Sequence, residues 1–405
     1  MVVYFSSNST STSISASIIG VGYAISSIAG LVGAFVSGYL LDKSIGWRKL
    51  FSVAGIIQAS AVVFLSEQNS VSFFFILFMF LGFASGMFGP AGDIAIDRSR
   101  LVKTSRGMAF TQWRFTESVI TIFIFIIMII MVSTGIPAKI FTLAGITTII
   151  AVVLIFNLDL GSDVDVQRVS KYSSYDHEGS RILNFAQNVL SIFDGPLVVA
   201  RGIKALLNRQ FIYIIVLLLI FHAILILENS AMPVDFAKIG ITSSGNSLVL
   251  ILIFLALRNF VFGLVLLPIG TKYSKLPSKK GFQFGFSMYF VAMMILSLSL
   301  NAKLFDIPLS PLLFILIIQI FSALANAALM PTSTRAVLES VEKKRHGVAL
   351  SFMNFAMAVA NAIVTVIGGY FLEKNQDSYF WLVVALFCIT ALPIAGRLSV
   401  QTKNS

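Results

Sequence analysis

The chain has 405 residues, of which 57% are hydrophobic and only 12% charged, where a soluble domain carries about a quarter charged residues. That composition excludes an ordinary soluble globular protein and points to a membrane protein. The net charge of +11 is scattered over many short loops with no basic domain, which argues against nucleic acid as a partner.

The chain opens on Met1-Val-Val-Tyr-Phe5, which lacks the basic region of a secretory signal peptide and leads into a Ser/Thr-rich stretch. Apolar runs bounded by Gly, Pro and charges then predict eleven spans, at roughly 14–41, 50–66, 71–96, 106–133, 137–158, 211–236, 244–270, 281–301, 309–334, 347–372 and 378–399. The alternating segments of about ten residues that build a membrane barrel are absent, so the spans are helices and the fold class is all-α polytopic. Segment 159–210 is the one long connection and divides five spans from six. It defines an N-terminal bundle (1–158), a linker (159–210) and a C-terminal bundle (211–405). Within the linker, Ile182, Phe185, Ala186, Val189, Leu190 and Phe193 share a helical face, which predicts an amphipathic helix on the membrane surface.

Of the 29 lysines and arginines, 23 fall in the loops 42–49, 97–106, 159–210, 271–280, 335–346 and the C-terminal tail. The alternate loops hold only Lys139, Lys238, Lys303 and Lys374. By the positive-inside rule the first set is cytoplasmic, together with the central loop and the C-terminus. The single Cys388 lies in an apolar run and reads as a small core residue. There is no Walker A loop, metal-ligand spacing or nucleophile motif, so neither an enzyme nor a cofactor is expected.

The two halves repeat. Gly38 to Lys43 reads G-Y-L-L-D-K and Gly270 to Lys275 reads G-T-K-Y-S-K, each followed by a basic pair, Arg48-Lys49 or Lys279-Lys280. Further on, Pro90 and Pro331 each end a span, an acid follows at Asp97 or Glu339, and the next span starts at Gly107 or Gly347. Corresponding sites in the same order indicate parallel halves related by an axis along the membrane normal.

These residues resemble the major facilitator superfamily of secondary transporters, whose loop between the second and third helices reads G-x-L-a-D-r-x-G-r-k. Gly38, Leu40, Asp42, Lys43, Gly46, Arg48 and Lys49 are similar to that motif, although one extra residue lies between Asp42 and Gly46 and the second copy has Ser274 in place of the acid. The resemblance covers essentially the whole chain. It implies two pseudo-symmetric helical bundles and a multi-pass protein of the cell membrane. It also implies alternating access for a small organic solute, with coupling to a proton or another ion left open; the other reading is a non-transporting sensor or scaffold on the same fold. Gly38, Asp42, Lys43, Gly46, Arg48, Lys49, Asp93, Asp97, Gly270 and Lys275 are the expected gate residues. Asp42 is expected to meet a helix N-terminus or a base of the 97–106 loop.

Ionisable residues at membrane depth are the candidates for the solute or ion pathway. Arg114 and Glu117 share a helical face and are expected to neutralise each other. Arg258 lies about 21 Å below the outer end of its span, too deep to snorkel easily, with His222 and Glu228 as available neighbours. Asn354 and Asn361 form one polar stripe and Gln319 and Asn326 another, read as contacts between helices or with solute.

Counting back from Gly38 the 37 residues that separate Pro233 from Gly270 reaches Met1, so the chain starts where the family's first helix ends. A misassigned start codon accounts for this most simply, with a real truncation as the alternative; on the first reading, in-frame DNA upstream is expected to encode about 20 further apolar residues. The sidedness is directly testable: a cysteine placed in 271–280 should be labelled only after permeabilisation, and one beside Lys238 from outside. The reverse pattern would sink the topology.

Overall fold

The computed structural model describes residues 16–42, 47–65, 70–98, 106–134, 139–157, 209–233, 235–236, 247–300, 311–341, 346–373 and 377–398. The helices are α1 (Ala16–Asp42), α2 (Trp47–Leu65), α3 (Val71–Arg98), α4 (Arg106–Ser133), α5 (Lys139–Asn157) and α6 (Arg209–Ser230). Next come α7 (Ser247–Val265), a π-turn (Leu266–Gly270) and α8 (Thr271–Lys275), which continue one another. They are followed by α9 (Ser278–Leu300), α10 (Pro311–Glu339), α11 (His346–Glu373) and α12 (Asp377–Gly396). Helix satisfies every backbone group within its own segment, as hydrocarbon requires. Nine segments among the described residues are long and apolar enough to cross a membrane, and α5 and α11 carry shorter apolar stretches, Phe141–Leu154 and Phe352–Thr365. Among the described residues each of the eleven expected spans falls on a long helix, and the fold is the all-α, two-bundle architecture.

Two expectations about ends are corrected. Residues 271–275 and 335–339, read as loop, are helical, because basic and acidic side chains at a membrane rim do not stop a helix that runs beyond the hydrocarbon. Pro90 and Pro331 do not end their helices but lie inside α3 and α10. In the turn before Pro90, Ser37 Oγ of α1 donates to the Met87 carbonyl at 3.0 Å. The amphipathic segment 182–193 lies outside the described residues.

Leucines and isoleucines cannot drive helices together in lipid, which solvates them equally well, so close backbone approach does this work. On α4 and α5, Ile120, Phe123, Ile130, Ile149 and Leu154 remain exposed, as expected of lipid-facing surface. Between α1 and α3 the residues are small. A Cβ added at Gly82 would lie 1.8 Å from the Ser26 carbonyl oxygen, and one at Gly86 1.8 Å from that of Gly30. Across α9 and α10, a Cβ at Gly281 would lie 2.2 Å from Thr332 Oγ1.

Two helix pairs, α1 with α11 and α4 with α7, make most of the contact between the halves. Phe35 of α1 meets Phe352 and Phe355 of α11 at 6.0 and 6.3 Å, and Asn354 packs on Gly89 of α3. Thr111 of α4 packs on Gly270 at the end of the π-turn. Gly82→Ala should therefore lower the unfolding temperature of the detergent-purified protein, by an overpacking cost of about 1–3 kcal/mol or more. Gly92→Ala, where nothing lies within 4 Å, should not. Equal effects would refute the close-approach argument.

Candidate functional site

Arg258 sits in the twelfth position of the 19-residue α7, far from either end of the span. An isolated guanidinium at that depth is expensive, and the chain supplies an acid from the neighbouring span. Arg258 Nε donates to Glu228 Oε1 of α6 at 3.1 Å, and its Nη1 donates to Asn229 Oδ1. The arginine side chain is 14% exposed and the glutamate 0%.

The other carboxylate oxygen of Glu228 faces away from the arginine. Asn326 Nδ2 of α10 donates to Oε2 at 2.8 Å, and the Tyr289 hydroxyl of α9 lies 3.0 Å from it. That hydroxyl also lies 2.7 Å from Asn326 Oδ1. One phenolic proton thus faces two acceptors. When Glu228 is ionised, the proton can point at the carboxylate. When Glu228 carries a proton, the acid can donate to the phenolic oxygen, which then donates to Asn326. Either form of the acid is accommodated without an orphaned group on Oε2.

His222, expected as the alternative neighbour of Arg258, is not in this cluster. It lies six residues before Glu228, which is about 9 Å along the axis and on another face of α6. It is buried against Phe221, with no hydrogen-bond partner for either ring nitrogen among the described residues. Its charged neighbour is Arg114 of α4, in the other half. Arg114 forms the expected pair with Glu117 at 2.7 Å, and both side chains are substantially exposed. The asparagine and glutamine stripes divide. Gln319 donates to the Phe254 carbonyl of α7 at 3.1 Å, Asn326 joins the acid, Asn354 donates to its own Leu350 carbonyl, and Asn361 is half-buried.

Among the gate residues, Gly38 and Gly270 are buried, while Lys49 and Lys275 are exposed. The Arg48 guanidinium stands 5.6 Å from the centre of the Trp47 ring. Lys43 and Gly46 lie outside the described residues, as do the side chains of Asp42, Asp93 and Asp97. In the second copy of the motif, where Ser274 stands in place of the acid, a base from α10 makes the contacts. Arg335 of α10, buried, donates through Nη1 to the carbonyls of Tyr273 (3.4 Å) and Ser274, and through Nη2 to the Leu276 carbonyl and Ser278 Oγ (3.2 Å). Glu339 pairs with it at 3.7 Å. The guanidinium thereby satisfies the last carbonyls of α8 where Ser274 has replaced the expected aspartate.

Sequence reasoning missed Arg335, Asn229 and Tyr289. Tyr289 did carry a signal, since a phenol in mid-span needs a hydrogen-bond partner. Asp235 was missed too: it is fully buried and accepts from Trp381 Nε1 of α12 at 2.7 Å.

The model of the Major Facilitator Superfamily matches residues 1–309 and 229–403. The chain belongs to this superfamily. Solved structures of superfamily proteins share its fold. One is the proton:xylose symporter XylE, with 14% identity and a TM-score of 0.67 over 98% of this chain and 90% of that one. A second is the nucleoside transporter NupG, with 13% identity and a TM-score of 0.64 over 95% and 91%. A third is a peptide transporter of the POT type, with 13% identity and a TM-score of 0.66 over 98% and 90%. Among proteins with curated descriptions none matches significantly. At these identities the likeness concerns the fold alone.

For this superfamily member, the cluster predicts an asymmetry in stability. Arg258→Ala strands a buried carboxylate and should cost about 3–5 kcal/mol. Adding Glu228→Gln to that variant should recover part of the loss, read as a higher unfolding temperature for the double variant than for the single. A double variant no more stable than the single would show that the pair is not coupled.

Proposed function

We propose that the protein is a secondary active transporter that moves a small organic solute across the cytoplasmic membrane by alternating access. The observation that carries this reading is the buried Glu228–Arg258 ion pair, which joins two spans within a superfamily fold. A buried charge pair costs desolvation that packing alone would avoid, so its retention suggests use. Proteins of like fold that carry xylose, nucleosides and peptides support a small solute as cargo. Glu228 is the candidate proton carrier, with Tyr289 and Asn326 holding it in either charge state. Arg114, Glu117, His222, Asn354 and Asn361 belong to the pathway between the halves. Gly38, Asp42, Lys43, Gly46, Arg48, Lys49, Asp93 and Asp97 form the gate of the first half, and Gly270 and Lys275 that of the second. The central loop and the C-terminus are cytoplasmic in this reading, the bilayer is the one obligatory partner, and no catalysis is involved.

A panel of small solutes screened for stabilisation of the purified protein, followed by uptake into proteoliposomes with and without a pH gradient, tests the proposal. Wild-type protein should accumulate a stabilising solute when the gradient is imposed. Glu228→Gln should lose that accumulation yet still exchange solute at equilibrium. A flux indifferent to the gradient would remove proton coupling. Stabilising solutes that never cross would favour a sensor or scaffold.

A further inference from the structure

The geometry points to a binding site for a singly charged carboxylate at Arg258, an inference that rests on the transporter reading and names the chemistry of its solute. A guanidinium offers five N–H donors and no acceptor, in a planar fork that matches a carboxylate. Arg258 uses one donor on Glu228 and one on Asn229. The remaining three, both on Nη2 and one on Nη1, have no partner among the described residues. The arginine is the partly exposed member of the pair and the glutamate the sealed one, so the arginine is the member that a ligand can reach.

An acceptor-only, planar ligand fits donors of this kind, and Asn229 is fixed to help hold the guanidinium. Its Nδ2 donates to the Leu225 carbonyl at 2.7 Å, which turns Oδ1 toward Arg258. Charge narrows the class further. Glu228 already neutralises Arg258, so a carboxylate brings one uncompensated negative charge into a low-dielectric region. One proton bound at Glu228 restores neutrality. A doubly charged phosphate would need two, and among the described residues Glu228 is the one carboxylate in contact with the cluster. A neutral polyol has no charge with which to answer the exposed face of the cation.

The test uses the full chain in detergent at constant ionic strength and compares acetate, pyruvate and benzoate with acetamide, pyruvamide and benzamide, and with inorganic phosphate. The site requires that at least one carboxylate raise the unfolding temperature saturably while its amide does not. Arg258→Lys should raise the half-saturating concentration about tenfold or more, because an ammonium cannot bind bidentately. The doubly neutral Glu228→Gln/Arg258→Gln variant, which strands no charge, should not respond at all and covers the case in which Arg258→Lys fails to fold. Amides as effective as carboxylates, a preference for phosphate, a response that survives in the neutral variant, or no response in wild type would each overturn the site. A carboxylate that binds through Arg258 but is not carried into proteoliposomes would overturn the transport reading and leave the site standing. A solute carried without any dependence on Arg258 would do the reverse.

Discussion

A carboxylate with no exposed surface, in the middle of a membrane protein, constrains everything around it. Glu228 needs a counter-charge within reach, and α7 brings Arg258 to 3.1 Å. Its second oxygen needs donors, so α9 and α10 must present Tyr289 and Asn326 at the same depth. Four helices are thereby held in one relative rotation. Their apolar surfaces alone would not do this, because lipid competes on equal terms for leucine and isoleucine. The polar cluster specifies the second bundle as much as it equips it.

The first bundle is specified by other means. Gly82 and Gly86 let α3 lie directly against the carbonyls of α1, a register that any larger side chain would break. Close glycine contact also joins α9 and α10 of the second bundle, at Gly281 against Thr332, but there the hydrogen-bonded charge cluster is added to it. The bundles meet along α1 with α11 and α4 with α7, through an aromatic group around Phe35 and Phe352 and through Gly270 against Thr111. The contacts described across this seam are ring packing and side-chain packing on glycine.

The two motif copies illustrate how a local pattern and its mechanics separate. The repeat G-x-x-x-D-K and G-x-x-x-S-K was legible from residue order, and so was the loss of the acid at Ser274. Its replacement was not legible. Arg335 reaches from α10 to the carbonyls of Tyr273, Ser274 and Leu276, about 60 residues earlier, and its position gave no hint of the fold-back. The reading of Pro90 and Pro331 as terminators failed for a related reason. A proline rule learned in water assumes that a lost hydrogen bond stays lost, whereas neighbouring helices can supply substitutes in a membrane.

From its sequence alone this protein could be placed in a membrane, divided into spans and seen as two repeated halves. Each span must be apolar along its own length to be solvated by lipid, and that requirement is written in consecutive residues. The pair at Arg114 and Glu117 was legible for the same reason, since i and i+3 on a helix are local neighbours. Only the tertiary structure decided that Arg258 meets Glu228 and not His222, and that Tyr289 and Asn326 complete the cluster from 61 and 98 residues away. Those meetings depend on the rotation and depth of each helix relative to the others. In a solvent indifferent to which apolar face it touches, the packing of the whole bundle sets them.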